Sequence, residues 1–285
     1  MTDFTLKITV ISEELSFVPL PIFMYFKDAI LALGTSFVYL YEGQSYFITN
    51  WHNVTGREPK TLNPLRKDAA LPDRLQIKIP YLSQDDSETQ GIYWRSSTIR
   101  LYKDEGEAPI KPVWYEHPQH RHNVDVVAIP INGIEKTRIR PANDPILTLH
   151  KIRLRPSLDV FILGFPKGMS GGANFPVWKR GSIASEPDID IDGLPKVFID
   201  TATREGMSGS PVYAQEVGFW SPEGVTEFGE SIIGKGRRFF GIYSGRIGDD
   251  TFLAQLGIVW KPTAIEEIIQ GAMYGTSSFE ICPKN

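Results

Sequence analysis

The stretch REGMSGSPV, residues 204–212, places a serine between two glycines and closes with a proline. Glycine allows backbone conformations that other residues avoid, and it lets another segment approach closely. A serine on such a turn presents its hydroxyl outward and leaves nearby N–H groups free, as a nucleophile with an adjoining oxyanion hole requires. Such turns are also common without any chemistry, so Ser208 needs a base and an orienting acid elsewhere in the chain.

Length, charge and cysteine content narrow the class of protein. The chain has 285 residues, a net charge of −4 and one cysteine, Cys282. The length suits one large domain or two small ones, and the balanced charge argues against nucleic acid as the main partner. No disulfide within the chain is possible, so the fold does not depend on an oxidising compartment.

No apolar run is long enough to span a bilayer. Residues 1–10 alternate apolar and polar side chains, which is typical of a strand and not of a secretory signal. We therefore expect a soluble, cytoplasmic protein with no membrane partner.

The composition predicts an all-β fold. Strand and turn formers are plentiful, with 16 Phe, 11 Tyr, 25 Gly and 21 Pro. The β-rich runs 34–41 and 45–50 flank a glycine-containing turn and predict a hairpin. One convincing helix is predicted near the C-terminus, where Thr263 and Glu266 have the spacing of a capping box. Short strands at regular spacing with one terminal helix favour closed β-barrels.

His52 and Asp125 are the candidate partners of Ser208. Of the five histidines, only His52 follows a strong apolar strand on a hairpin. Asp125 opens another apolar strand, where a carboxylate is costly unless a donor such as an imidazole N–H pairs with it. The order His, Asp, Ser differs from the orders found in subtilisin-like enzymes and α/β-hydrolases.

Three motifs together resemble the trypsin-like serine peptidases. They are ITNWHNV at 48–54, VDVVAI at 124–129 and GMSGSP at 206–211. Asp200, eight residues before Ser208, is similar to an aspartate of bacterial, HtrA-like members. The resemblance covers roughly residues 34–269, and no PDZ-type module is recognisable after it.

The resemblance implies two six-stranded antiparallel β-barrels of the chymotrypsin type with a C-terminal helix. Residues 1–33 would be an N-terminal extension, 34–150 the barrel with the histidine and aspartate, 151–262 the barrel with the serine, and 263–285 the helix and tail.

The resemblance also implies site residues. Ser208 would attack a peptide carbonyl, His52 would transfer the proton, Asp125 would orient the imidazole, and the N–H groups of Gly206 and Ser208 would form the oxyanion hole.

The family pattern implies a primary substrate pocket as well. Ala202 would lie at its base, Ser244 and Gly257 on its walls and Arg246 near its mouth. With no acid at the base, we expect an apolar or acidic residue before the cut, and not Arg or Lys. Arg246 would pair with an acidic substrate side chain, partly fill the pocket or point to solvent.

The run HPQHRH, residues 117–122, offers imidazoles that suit zinc or copper. It contains no cysteine and is interrupted by proline, so we expect a loop beside the Asp125 strand and no metal or cofactor.

Two functions stay open at this point. One is an active serine endopeptidase acting on a protein or peptide. The other is a silent or gated module that binds partners within a larger stress or phage-defence assembly. Met207 stands where secreted members carry an aspartate that pairs with a cleaved N-terminus, so activation of that kind is not expected. Candidates for gating are residues 1–33, the segment between His52 and Asp125, loop 167–174 and a regulatory protein partner.

Overall fold

A computed structural model describes residues 13–82, 91–103, 111–149, 152–202, 204–220, 232–246 and 256–283. The N-terminal strand predicted within residues 1–10 lies outside this part of the chain. None of the helices in the described ranges is long and apolar enough to cross a membrane.

The first half of the chain builds an eight-stranded antiparallel sheet, which the C-terminal strand joins. Its strands are β1 (Leu20–Phe26), β2 (Ala29–Tyr41), β3 (Gln44–Thr49), β4 (Arg74–Leu82), β5 (Ile92–Arg100), β8 (Tyr115–Glu116), β9 (Val127–Ile131) and β16 (Met273–Tyr274). The spatial order is β16-β8-β9-β3-β2-β1-β4-β5. A separate pair, β6 (Tyr102–Lys103) and β7 (Lys111–Pro112), lies between β5 and β8 in the chain.

The second half forms a closed six-stranded barrel. Its strands are β10 (Asp159–Gly164), β11 (Val177–Ile183), β12 (Lys196–Asp200), β13 (Pro211–Trp220), β14 (Ile232–Arg246) and β15 (Leu256–Trp260). The order is β10-β11-β12-β15-β14-β13, and pairing of β10 with β13 closes the ring. Val160, Ile162, Val197 and Ile199 alternate inward and are fully buried, which is the period-2 pattern of a strand with one core face.

Two α-helices accompany the strands in the described residues. The helix α1 (Trp51–Thr55) directly follows β3 and ends at Gly56, whose φ of +67° suits glycine. The helix α2 (Pro262–Gly271) buries a face that includes Ile265 and Ile268. Single-turn 3-10 helices lie at Glu14–Phe17, Pro145–Leu147 and Pro166–Gly168.

The predicted capping box at the start of α2 is wrong. Lys261 occupies the N-cap position, and its side chain makes no capping hydrogen bond. Pro262 is the first helical residue, where its fixed φ and missing N–H carry no penalty. Thr263 therefore lies inside the first turn and not before it.

The structure is mostly β, as predicted, with one closed six-stranded barrel in the second half. The first half has an eight-stranded sheet, and the predicted closure of a six-stranded barrel there is not established. The domain boundaries stay predictions. Part of the predicted extension, residues 1–33, belongs to the sheet, because β1 pairs with both β2 and β4.

A shared core joins the two halves. Buried Phe37 and Ile48 from the sheet belong to the same cluster as Leu163 and Trp260 from the barrel, and α2 contributes Ile265. This continuous apolar contact fixes the sheet against the barrel, so groups on the two sides can be held in register across the cleft between them.

Candidate active site

The turn that carries Ser208 runs between β12 and β13 and is held by β2 of the other half. The N–H of Thr35 donates to the carbonyl of Ser208 at 2.8 Å. Gly206 and Gly209 have φ values of +90° and +87°, in the left-handed region that favours glycine. A Cβ on Gly209 would lie 1.9 Å from the carbonyl oxygen of Thr35, so the close approach of β2 also requires glycine.

Thr35 makes further contacts that no sequence motif singled out. Its Oγ1 donates to the carbonyl of Gly206 at 2.9 Å and accepts the N–H of Phe165 at 3.3 Å. Nearby, Asn53 Nδ2 of α1 donates to the carbonyl of Ser208 at 3.4 Å. The turn that carries Ser208 is therefore positioned by β2 and by α1, the helix that carries His52, as well as by its own barrel.

Strand pairing brings His52 and Asp125 to one edge of the sheet. Thr49 at the end of β3 lies opposite Val127 at the start of β9, so residues just after β3 meet residues just before β9. The Asp125 carboxylate accepts two hydrogen bonds from His52. Oδ1 accepts the backbone N–H at 2.9 Å, and Oδ2 pairs with Nδ1 at 2.7 Å. Asn50 Nδ2 also donates to the carbonyl of Asp125 at 2.7 Å.

This pairing decides the tautomer of the imidazole. Asp125 is only 5% exposed, and an ionised carboxylate can only accept hydrogen bonds. The proton of neutral His52 therefore sits on Nδ1, and Nε2 keeps a lone pair that can take a proton. The side chain of His52 is 17% exposed, so the ring is accessible from solvent.

Ser244 of β14 connects the aspartate with the serine. Its Oγ donates to Asp125 Oδ2, and its carbonyl accepts the hydroxyl of Ser208 at 3.3 Å. The pocket-wall role of Ser244 stays a prediction, and the structure adds that its side chain is a direct partner of the buried carboxylate. Within the described residues the Ser208 hydroxyl is hydrogen-bonded to Ser244 and not to His52.

One cleft of about 950 Å³ is lined by four of these side chains, namely His52, Asp125, Ser208 and Ser244. The cleft is also lined by apolar side chains and by charges of both signs, namely Leu65, Leu194, Ile258, Trp260, Glu58, Lys60, Asp192 and Lys196. Lys196 pairs with Asp192 at 2.9 Å, and this hydrogen bond lowers the pKa of the Asp192 carboxyl. The mixed charge favours no single sign of ligand.

The backbone of the turn leaves two donors unused. Of the hydrogen bonds among described residues, none is donated by the N–H of Gly206 or of Ser208. The carbonyls of the same two peptide groups are occupied, because Glu205 accepts the N–H of Lys167 at 2.7 Å and Met207 accepts the N–H of Ser210 at 3.0 Å. These bonds orient the peptide planes, and the free N–H groups can bind an oxyanion.

The other three predicted pocket residues are Ala202, Gly257 and Arg246. Ala202 is exposed and, like Gly257, is not among the cleft-lining residues that the structure describes. A Cβ on Gly257 would meet the ring of Tyr243 at 2.6 Å. Arg246 pairs with Gly257 across β14 and β15, and its side chain lies outside the described part. Their pocket roles stay predictions.

In the run 117–122, His117 has a local structural role. His117 is buried, and its Nδ1 accepts the N–H groups of Gln119 and His120. Its Nε2 therefore carries the proton and donates to Glu267 at 2.7 Å. Burial lowers the pKa of His117, opposed by Glu267. Among the described residues, no group of His, Cys, Asp and Glu side chains has an arrangement that could hold a metal ion.

Comparisons with known proteins reach only distant structures. No protein-family model matches the chain, and no curated protein matches its sequence. The active form of the Rv3671c protease from M. tuberculosis is 14% identical, with a TM-score of 0.45 over 92% of this chain and 83% of that chain. A serine endoprotease from Yersinia pestis is 11% identical, with a TM-score of 0.45 over 92% and 66% of the two chains.

A variant of the HtrA-type protease AlgW with a tripeptide is 13% identical, with a TM-score of 0.47 over 90% of this chain and 60% of that chain. Identities and TM-scores this low leave function to be decided by the side chains of the site itself.

Proposed function

We propose that this protein is a serine endopeptidase that cleaves peptide bonds through His52, Asp125 and Ser208. One observation carries the proposal. A buried aspartate holds a histidine with its proton on Nδ1, in the same cleft as a serine whose turn leaves two backbone N–H groups unused.

The reaction follows from these groups. The Ser208 hydroxyl turns from the Ser244 carbonyl towards His52, and its oxygen attacks the substrate carbonyl carbon while His52 Nε2 takes the proton. The C–N bond then breaks, and the imidazolium gives that proton to the leaving amine, which leaves an acyl ester on Ser208. Water then attacks the ester carbon while His52 takes its proton; the bond from that carbon to the Ser208 oxygen breaks, the imidazolium returns the proton to this oxygen, and the carboxylic acid product leaves. Asp125 stabilises the imidazolium in both halves of the reaction.

The N–H groups of Gly206 and Ser208 stabilise the negative charge on the substrate oxygen. Each such donor contributes about 3 kcal/mol, or roughly a hundredfold in rate, in comparable enzymes. The bond from Lys167 to Glu205 supports this role because it fixes the carbonyl of the Glu205–Gly206 peptide, and with it the direction of the Gly206 N–H on the opposite side of the same peptide plane.

The substrate is a protein or peptide chain that fits the open cleft. A preference for an apolar or acidic residue before the cut, with Arg and Lys disfavoured, remains a prediction from Ala202 and Arg246. Cytoplasmic location likewise remains a prediction.

Covalent labelling with a fluorophosphonate probe tests the proposal. Wild type should be labelled, and Ser208→Ala and His52→Ala should lose the label. Ser210→Ala is the matched control, because the buried Ser210 hydroxyl has no hydrogen-bond partner in the described residues and its loss should leave labelling unchanged. A folded wild type that is not labelled, or a Ser208→Ala variant that still is, contradicts the proposal.

The alternative is a silent or gated module that binds partners. The intact His52–Asp125 pair and the two unoccupied N–H donors favour the peptidase over this alternative, although the Ser208 hydroxyl is bonded to the Ser244 carbonyl and not to His52. Absence of labelling in a folded wild type would support this alternative.

A further inference from the structure

A buried carboxylate that the proposed reaction does not use lies behind the catalytic pair. Glu116 of β8 is 2% exposed. Its Oε1 accepts the indole N–H groups of Trp51 at 3.0 Å and Trp114 at 3.1 Å, and the backbone N–H of Thr276 at 3.3 Å. Its Oε2 lies 3.3 Å from a guanidinium nitrogen of Arg121. A carboxylate removed from water is costly unless such donors surround it.

Through Trp51, Glu116 fixes the helix that carries the histidine. Trp51 is the first residue of α1, directly precedes His52 and is 1% exposed. Its side chain can rotate little in a packed core, and the bond to Glu116 fixes the indole further. A shift of Trp51 would move the His52 backbone, whose N–H is bonded to Asp125 Oδ1 at 2.9 Å.

Through Arg121, the same carboxylate fixes the loop that leads to Asp125. Arg121 has a φ of +47°, which is unusual for a residue other than glycine, and its carbonyl accepts the N–H of Val124 at 3.1 Å. The guanidinium also donates to the carbonyl of Tyr274 and to Thr276 Oγ1, at 3.3 and 3.2 Å. Glu116 and the C-terminal segment thus define where this loop lies.

The C-terminal segment 273–278 also holds the far end of α1. Arg57, just beyond the helix, donates from Nε to the carbonyl of Ser278 at 2.9 Å and from NH1 to Leu62 at 2.7 Å. Both ends of α1 are therefore tied to this segment, one through Trp51, Glu116 and Thr276, and the other through Arg57.

We propose that Glu116 is a positioning residue for the reaction, which sets the relative placement of His52 and Asp125 through Trp51 on one side and Arg121 on the other. The inference rests on the proposed peptidase function. Glu116 does not touch the reacting atoms. It acts on the geometry of the pair, so its loss should reduce turnover more than substrate binding.

The test uses Glu116→Gln and Trp51→Phe in the full chain. Glutamine is nearly isosteric and can still accept an indole N–H, but it brings no charge to Arg121. Phenylalanine removes only the indole donor. We expect kcat to fall about tenfold to a hundredfold in Glu116→Gln, with KM changed by less than about threefold. The two substitutions should be non-additive, because they remove one connected set of contacts.

A spectroscopic measurement separates positioning from general destabilisation. The proton that His52 donates from Nδ1 to Asp125 gives a low-field resonance in proton NMR, which we expect to shift or broaden in both variants. Glu13→Gln is the matched control. The Glu13 carboxylate accepts a hydrogen bond from the buried Arg237 guanidinium at 2.8 Å. Its loss should lower the free energy of unfolding but leave the His52 resonance and kcat at their wild-type values.

The outcomes are distinguishable from failure of the proposed function. If wild type is labelled but Glu116→Gln keeps its kcat and its resonance, the positioning role is wrong and the peptidase stands. If kcat falls only as far as in an equally destabilised Glu13→Gln variant, the positioning role is also wrong. If wild type is not labelled, the peptidase proposal fails, and the NMR resonance alone decides whether Glu116 places His52 against Asp125.

Discussion

Substitution of Gly209 by alanine should be one of the more destabilising single changes in the turn that carries Ser208. The new Cβ would lie 1.9 Å from the Thr35 carbonyl oxygen, whereas real Cβ atoms essentially never approach closer than 3.0 Å. Strand β2 and the turn must therefore separate by more than 1 Å. This movement stretches the bond from the Thr35 N–H to Ser208 and the bond from Thr35 Oγ1 to Gly206, now 2.8 and 2.9 Å.

The magnitude follows from these contacts. A non-glycine residue in the left-handed region costs about 1 kcal/mol, and each of the two weakened hydrogen bonds costs about 1 kcal/mol. The free energy of unfolding should therefore fall by about 3 kcal/mol in Gly209→Ala. Gly43→Ala is the matched control. Gly43 has a φ of +80°, but no atom lies within 4 Å of the place that its new Cβ would take, so only the backbone cost of about 1 kcal/mol applies.

Urea denaturation of the two variants and wild type measures the difference, with the slope checked for constancy. Gly209→Ala should lose about 2 kcal/mol more than Gly43→Ala, and its labelling by the fluorophosphonate probe should slow because the serine moves. Equal destabilisation by the two substitutions would refute the reasoning, since it would mean that β2 does not constrain the turn.

Two further predictions concern Ser244, which bonds to Asp125, and the buried His117. Ser244→Ala removes a donor to the Asp125 carboxylate but keeps the backbone carbonyl, so kcat/KM should fall about tenfold to a hundredfold, the equivalent of a hydrogen bond to a charged group. An unchanged rate of peptide cleavage would contradict this. Burial lowers the pKa of His117 in the folded protein below its usual 6.5. Above pH 6.5 the imidazole is neutral in both the folded and the unfolded chain, and its full contribution to stability is present. As the pH falls from 6.5 towards the folded-state pKa, the unfolded chain binds the proton first, and this contribution is lost. His117 faces Glu267 and His120, and the urea midpoint of wild type should drop on acidification more than that of His117→Gln. Parallel pH profiles of the two proteins would show that His117 is not responsible.

Local pattern was enough to predict the class of fold and the main candidates. Period-2 alternation at 75–81 became β4, and the run DVFILG at 159–164 became β10, because a strand with a buried face needs apolar side chains at alternate positions. The same reasoning brought forward His52 and Asp125, since a histidine or an acid at the end of a buried strand needs a partner there.

Local pattern failed where tertiary contacts decided. Thr263 and Glu266 have the spacing of a capping box, but Pro262 is already the first residue of α2 and Lys261 its N-cap. The helix therefore begins two residues earlier than that box predicts. The extent of the sheet in the first half also depends on β16, which reaches it from the other end of the chain to pair with β8. No window of sequence contains that pairing.

The sequence by itself determined which residue types are available for chemistry, a serine on a glycine turn, a histidine after one strand and an aspartate before another. Only the tertiary structure decided their relations. It placed Asp125 Oδ2 at 2.7 Å from His52 Nδ1 and brought the Ser244 hydroxyl within hydrogen-bonding distance of the same carboxylate. It also paired the N–H of Thr35 in β2 with the carbonyl of Ser208. It brought the buried Glu116 carboxylate to the indole N–H of Trp51 as well. These contacts join residues up to 173 positions apart in number, as between Thr35 and Ser208, and hydrogen-bond geometry over such separations exists only once strands from both halves are packed together.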